Sequence, residues 1–251
     1  MEENKEENII DKVIIVTGGS RGIGAEIVEQ LATQGYRVIL NYNKSEEKAK
    51  QIKRELIEKG YDVDIYKADV SKHEQVEEMI DWTIKKYNRI DVLINNAGID
   101  QYKLFTEITE EDWANIININ LNSVFYMSQE VSKQMIKQKQ GCIINISSIW
   151  GITGASCEVA YSTTKAAING MTKALAKELG TSNIQVNCIA PGIIDTEMNK
   201  KLTEEDLKDI QEEIPLERIG KPQDIAKCVK WLIEDNYTTG QIISINGGWY
   251  I

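Results

Sequence analysis

Short apolar runs alternate along the chain with longer stretches whose apolar positions recur every three or four residues. KVIIVTGG (12–19) is an apolar run ending in glycines, and it predicts a buried strand. Residues 22–34 carry Ile23, Ile27, Val28 and Leu31 at helical spacing, and Gly35 stops them. YRVILNY (36–42), DVDIYKADV (62–70), RIDVLINNAG (89–98), GCIINISS (141–148), IQVNCIAPG (184–192) and QIISING (241–247) predict the remaining strands. Between them, helices are predicted over 45–59, 73–87, 159–180, 196–213 and 222–234, with one or two helices in 110–138. The strands are continuous apolar runs rather than alternating patterns, as in a parallel sheet covered on both faces. No linker, repeat or low-complexity segment interrupts the order. The pattern predicts one doubly wound α/β domain over 12–251, with about seven parallel strands, after a short tail over 1–11. Its ligand crevice belongs at the C-terminal ends of the strands.

Composition narrows the function. The chain has 251 residues, 42% hydrophobic and 27% charged, the balance of a globular protein. A net charge of −10 argues against nucleic-acid binding, since phosphate contact needs basic residues. No apolar run is long enough for a membrane span, and the acidic start MEENKEENIID lacks the features of a signal peptide. The four cysteines (Cys142, Cys157, Cys188, Cys228) form no CxxC pair, and His73 is the single histidine, which argues against a zinc site. A cytoplasmic protein with reduced thiols and no metal is expected.

The turn after the first strand reads TGGSRGIG, with Gly18, Gly22 and Gly24 spaced G-x3-G-x-G around Ser20, Arg21 and Ile23. Such a turn lets backbone approach a pyrophosphate at a helix N-terminus. A site for NAD usually holds the ribose with an acid at the end of the second strand. Here that end is LNYNKS, with Tyr42 and Asn43 in place of the carboxylate. Arg21 and Lys44 are cations available to a 2′-phosphate, so NADP(H) is the expected cofactor. In SCEVAYSTTKAAI (156–168), Tyr161 precedes Lys165 by four positions, one helical turn. A neighbouring ammonium and the helix N-terminus near residue 159 favour a phenolate, and a lowered tyrosine pKa is expected.

TGGSRGIG, Asp69-Val70, NNAG (95–98), Asn120 in NINL, ISS (146–148), YxxxK (161–165) and Pro191-Gly192 follow one another in the order that resembles short-chain dehydrogenase/reductases. The resemblance covers the chain after residue 11 and implies a Rossmann-type fold. It implies Tyr161 as proton donor to a substrate carbonyl, and Lys165 as partner of the phenol and the nicotinamide ribose. Ser148 would hydrogen-bond the carbonyl oxygen, and Asn120 would hold a water in a proton relay. Asn96, Ala97 and Gly98 would line the cofactor, Asp69 and Val70 would flank adenine, and Pro191, Gly192, Ile194 and Thr196 would hold the nicotinamide end. It also implies a homotetramer joined through helices 112–138 and 159–180.

For the substrate, the segment IPLERIGKPQDIAKCVKWLIEDNYTTGQIISINGG is similar to 3-oxoacyl-[acyl-carrier-protein] reductases. Those usually present basic residues near the cleft to an acidic carrier protein. Here KQKQG and GTSNI give Lys137 and Lys139 but no arginine, and IDQYKLF replaces a usual Arg-Asp pair. SSIWG-x-x-GASCEV-x-YS and the ending NGGWY also resemble the elongation factor P 5-aminopentanone reductases, which act on a ketone bearing a primary amine on a modified protein. That substrate would want a carboxylate near the cleft. Glu158 is the first candidate, with Asp100 and Glu197 as others, and Trp150 would wall the pocket. A cofactor-sensing binding protein is a remote alternative, disfavoured because all four catalytic positions are filled.

Overall fold

The computed structural model describes residues 12–251, so the tail expected over 1–11 lies outside the described residues. Seven strands form one parallel sheet: β1 (Val13–Val16), β2 (Arg37–Tyr42), β3 (Val63–Lys67), β4 (Val92–Asn95), β5 (Gly141–Ile146), β6 (Ile184–Pro191) and β7 (Ile242–Ile245). Their order is β3-β2-β1-β4-β5-β6-β7, so the winding direction reverses between β1 and β4. A crevice opens at such a reversal, at the C-terminal strand ends.

The helices are α1 (Gly22–Thr33), α2 (Glu46–Glu58), α3 (His73–Tyr87), α4 (Glu110–Ile117), α5 (Ser123–Gln138), α6 (Trp150–Thr153), α7 (Val159–Leu179), α8 (Glu204–Glu213) and α9 (Pro222–Glu234). The apolar strand runs now have a cause. Ile14, Val16, Val38 and Leu40 pack with Ile27, Leu31, Leu56 and Val229, from α1, α2 and α9. Their neighbours Val13, Ile15 and Ile39 point the other way, toward Val76, Met79, Val131 and Met135 of α3 and α5. Successive side chains of a strand alternate faces, and both faces are dry.

Local chemistry sets the helix ends. Gly35 and Gly60, just past α1 and α2, take positive φ, and Asn88 does the same after α3 at φ 60°. Thr109 and Asp112 form a reciprocal capping box that starts α4, and Thr203 and Asp206 do so for α8. The second box explains a difference from the sequence reading. Residues 196–213 are not one helix, but a short 3₁₀ turn at Glu197–Asn199 followed by α8. Residues 110–138 are α4 and α5 joined by a π-turn at Asn118–Asn122. Neither α6 nor the 3₁₀ turn at Phe105–Glu107 was predicted. Both are too short to show periodicity.

One polar network crosses the dry interior. Asn145 is fully buried. It accepts a hydrogen bond from Asn95 Nδ2 at 2.9 Å and donates to Thr172 Oγ1 at 2.9 Å, while Asn95 Nδ2 also donates to Ser128 Oγ at 3.1 Å. The network ties β4 and β5 to α5 and α7. Replacing Asn145 with Ala removes two buried hydrogen bonds and opens a small cavity. A loss of about 2–3 kcal/mol is expected. Urea unfolding should show a lower midpoint at unchanged slope.

Candidate active site

The crevice has two connected halves, each of more than 400 Å³. The first lies over β1, β2 and β4 and is built for an anion. Gly18 and Gly22 take φ +63° and +54°, and a Cβ on Gly24 would sit 2.3 Å from the Gly18 carbonyl oxygen. A side chain at Gly24 would therefore push the turn apart. The N-terminus of α1 has no side-chain cap and no acid in its first turn. Its backbone N–H groups and helix dipole stay open to phosphate, so the site fits a dinucleotide.

Asn96 secures the turn. Its Nδ2 donates to Thr17 O at 3.0 Å and Gly18 O at 3.2 Å, and the N–H groups of Asn96 and Ala97 donate to Thr17 Oγ1. Asn41 adds a second clamp: its carbonyl accepts from Gly19 N at 2.9 Å, and its Nδ2 donates to Ala68 O at 3.1 Å. Ser20, Arg21, Ile23, Tyr42, Asn43, Lys44, Asp69, Val70, Gly98 and Thr196 line the same half. Tyr42 is buried at the end of β2. The Asp69 carboxylate accepts from Ser71 N and Oγ at 3.0 and 2.7 Å, which shapes the loop after β3.

The second half lies over β5 and β6. Ser148, Trp150, Glu158, Tyr161, Lys165, Pro191, Gly192 and Ile194 line it, and Ile23, Gly98 and Thr196 are common to both halves. α7 begins at Val159 and brings Tyr161 and Lys165 onto its sheet-facing side, both buried. The Lys165 ammonium lies 5.5 Å from the Tyr161 ring centroid and donates to Ile146 O at 2.9 Å. Burial without a carboxylate partner pulls its pKa down to about 8. Ser148 Oγ accepts from Trp150 N at 3.1 Å, and Ser148 hydrogen-bonds the Tyr161 phenol.

The phenol corrects the sequence expectation. Burial pushes the Tyr161 pKa up, and the carboxylates of Glu158 and Asp100 add to the rise. The Ser148 hydrogen bond opposes it without reversing it. One of the three N–H donors of the Lys165 ammonium goes to the Ile146 carbonyl.

Asn120 sits fully buried in the π-turn. Its Oδ1 accepts from Ile99 N at 2.8 Å, and its Nδ2 donates to Ile99 O at 2.9 Å and Thr164 Oγ1 at 3.3 Å. A Cβ on Gly98 would lie 3.4 Å from Asn120 Oδ1 and 3.7 Å from Lys165 Nζ. The space above Gly98 thus faces both groups.

Glu158 is the residue just before α7, and its side chain makes no cap hydrogen bond. Half-buried on the cleft wall, it has its pKa pushed up to about 7, first by burial and then by Asp100. Asp100 pairs with Lys201 at 3.0 Å. Trp150 meets Trp249 edge-on at 5.2 Å between ring centroids, and both line the pocket.

Two expectations are displaced. Glu197 lies in the dinucleotide half, not beside Tyr161, and its carboxylate is 2.5 Å from Lys48 Nζ. Lys137 and Lys139 stand at the C-terminal end of α5, just ahead of β5. That is the sheet edge opposite the cleft, roughly 20 Å from Ser148 along the strand. The sequence reading missed Thr17, Asn41 and Trp249. Thr17 was legible within the TGG turn, but nothing in the sequence brought the others to the crevice.

A family profile described as short chain dehydrogenase matches residues 12–207. The 3-oxoacyl-[acyl-carrier-protein] reductase FabG of Staphylococcus epidermidis is 42% identical over 245 residues, spanning 96% of this chain and 100% of that protein. The same-named protein of Chlamydia trachomatis is 42% identical over 243 residues, 96% of this chain and 98% of its own length. That of Staphylococcus aureus is 41% identical over 242 residues, with the same coverage. Crevice, turn and sequence kinship agree: the chain is an oxidoreductase that belongs to the short-chain dehydrogenase family.

Proposed function

We propose that the protein reduces a ketone to a secondary alcohol with NADPH, as a reductase of the 3-oxoacyl-[acyl-carrier-protein] type. The observation that carries this is the convergence of the Ser148 hydroxyl, the Tyr161 phenol and the Lys165 ammonium in one half of the crevice, beside the uncapped N-terminus of α1. A bound nicotinamide supplies the hydride. The protein's own part is electrostatic. Negative charge grows on the carbonyl oxygen as hydride arrives. Ser148 Oγ donates a hydrogen bond to that oxygen, and Tyr161 gives it the phenolic proton. The ammonium of Lys165, bound to a neutral carbonyl, keeps its positive charge available to the phenolate left behind. Asn120 fixes the backbone at Ile99, and the second lone pair of its Oδ1 accepts a water in the proton relay.

The choice of NADPH rests on Tyr42, Asn43 and Lys44 at the end of β2, where no acid stands against a 2′-phosphate, and on Arg21 beside them. The ketone comes on an acyl carrier protein in the cytoplasm, with this chain as a homotetramer through α5 and α7. Among the described residues no helix is long and apolar enough to cross a membrane. A second reading, an aminated ketone on modified elongation factor P, is favoured by one observation. Glu158 and Asp100 both line the half that holds Tyr161, so a primary ammonium would meet carboxylates there.

Three measurements test these roles. Turnover of a 3-ketoester with NADPH should fall at least about 100-fold in Tyr161→Phe. Comparable turnover in that variant would sink the proton-donor role. Lys165→Met should lose activity on a similar scale without a lower melting temperature at pH 7. The fold disfavours the lysine's charged form there, since its pKa drops from 10.5 to about 8. A folded but inactive variant separates chemistry from stability.

Glu158 supplies the third test. Its pKa rises from 4.5 to about 7, so the fold favours the neutral acid. Below pH 4.5 both folded and unfolded states are protonated and nothing is lost; above pH 7 the full cost of the buried charge is present. Glu158→Gln should therefore melt higher than the parent at pH 8, and the gap should close toward pH 4.5. For an aminated ketone, KM should fall as pH rises through 7, while a neutral ketoester shows no such change. Parallel profiles would remove the ammonium reading and leave the acyl-carrier reading standing.

A further inference from the structure

Asn169 is a buried amide on α7, one turn beyond Lys165, and no step of the reduction uses it. Its Nδ2 donates to Gly151 O at 3.0 Å, and its Oδ1 accepts from Cys188 Sγ at 3.4 Å. These partners leave the amide one orientation. Gly151 O can only accept, so the amide nitrogen must face it, and the amide oxygen then meets the thiol. Burial pushes the Cys188 pKa up to about 12, so the thiol keeps the hydrogen it donates. Asn169 thus joins α7 to α6 and to β6. Gly151 lies three residues beyond Ser148. On the other side of Ser148, Ser147 Oγ donates to Lys165 O at 3.0 Å. Ser148 therefore stands between two ties to α7, one helical turn apart. The other backbone ties of this turn lead elsewhere: Trp150 N donates to Ser148 Oγ, and Ile149 N donates to Pro191 O at 2.9 Å. The next link to α7, from Ala155 N to Ser162 Oγ at 3.2 Å, comes only after Gly154 has turned the chain at φ +75°.

Resting on the reductase reading, we propose that Asn169 is a positioning residue for the reaction: it holds the downstream end of the Ser148 turn against α7, and so sets the hydrogen bond between Ser148 and Tyr161. A single tie at Ser147 leaves the turn free to pivot about it. The second tie, four residues along, removes that freedom. A displacement of about 1 Å in a group that must meet a reacting oxygen is enough to cost about 100-fold in rate. The consequence reaches the phenol, because the Ser148 hydrogen bond lowers its pKa against burial, Glu158 and Asp100. Asn169 acts only through Ser148. The Cys188 thiol serves the same end from β6, by keeping the amide nitrogen turned toward Gly151.

Steady-state kinetics with a 3-ketoester and NADPH test this. In Asn169→Leu, kcat and kcat/KM should fall about tenfold together, with KM and the calorimetric Kd of NADPH within about twofold of the parent. In the reverse direction, with a 3-hydroxyester and NADP+, the rate rises with pH as the phenolate forms. Weakening the Ser148 bond raises the phenol's pKa, so this limb should move up by about half a pH unit, with Lys165, Glu158 and Asp100 unaltered around the phenol. Added to Ser148→Ala, Asn169→Leu should cost no more than about a further twofold, since the group it positions is gone. A full tenfold further loss, or a limb that does not move, overturns the role. Cys188→Ala keeps the amide and removes the thiol. It should lose about threefold in kcat with an upward shift of the same limb, and it decides alone where Asn169→Leu does not fold. Unchanged kinetics in the folded variants overturn the role and leave the reductase reading standing. A parent that does not turn over the ketoester overturns the two together.

Discussion

The half of the crevice that holds Tyr161 is organised by one ammonium taken out of water. Lys165 is 5% exposed, and its hydrogen-bond partner is the Ile146 carbonyl at the end of β5, not a carboxylate. Burying a charge on such terms is costly, and the depressed pKa expresses the cost. Surrounding structure is arranged to hold it there. Ser147 Oγ donates to the Lys165 carbonyl at 3.0 Å, and Asn169 Nδ2 donates to Gly151 O at 3.0 Å. Gly151 lies so close to α7 that a Cβ would come 2.7 Å from the Lys165 carbonyl carbon. The loop after β5 and the start of α7 are therefore one rigid corner, and Ser148 and Tyr161 take their places from it.

Charge balance in the crevice follows from this. Burial raises the pKa of the phenol most, the carboxylates of Glu158 and Asp100 add to the rise, and Ser148 lowers it. The ammonium is close in space, with one of its three donors given to the Ile146 carbonyl. Counting the Tyr–Lys spacing alone predicts a softened acid. Burial and the acids around it push the pKa the other way. The two statements describe different neighbours of one group, and only the three-dimensional arrangement ranks them.

Much of the frame was legible because its causes are local. The strand runs, the stop at Gly35 and the glycine turn each rest on a few adjacent residues. The catalytic candidates were legible as a series of motifs, and the parallel sheet delivers each to the same edge. What escaped depends on distant pairing. Asn41 reaches the turn from a neighbouring strand, Trp249 meets Trp150 across about a hundred residues, and Lys48 finds Glu197 across 149. The break within 196–213 was hidden for another reason. Its capping box competes with an otherwise helical, charged pattern, and the cap won.

The π-turn at Asn118–Asn122 has a further meaning. A wider turn accommodates an additional residue within an otherwise regular helix, and each residue advances the helix by about 100°. α4 and α5 are thus two helices out of phase, each free to bury its own stripe: Ile116 in one, Met127, Val131 and Met135 in the other. The joint holds Asn120 against Ile99. Excising one residue would mend the helix and misalign one stripe or the other, carrying the asparagine around the axis. The irregularity reads as a length constraint on the chain, in which insertions and deletions are tolerated far less than changes of side chain.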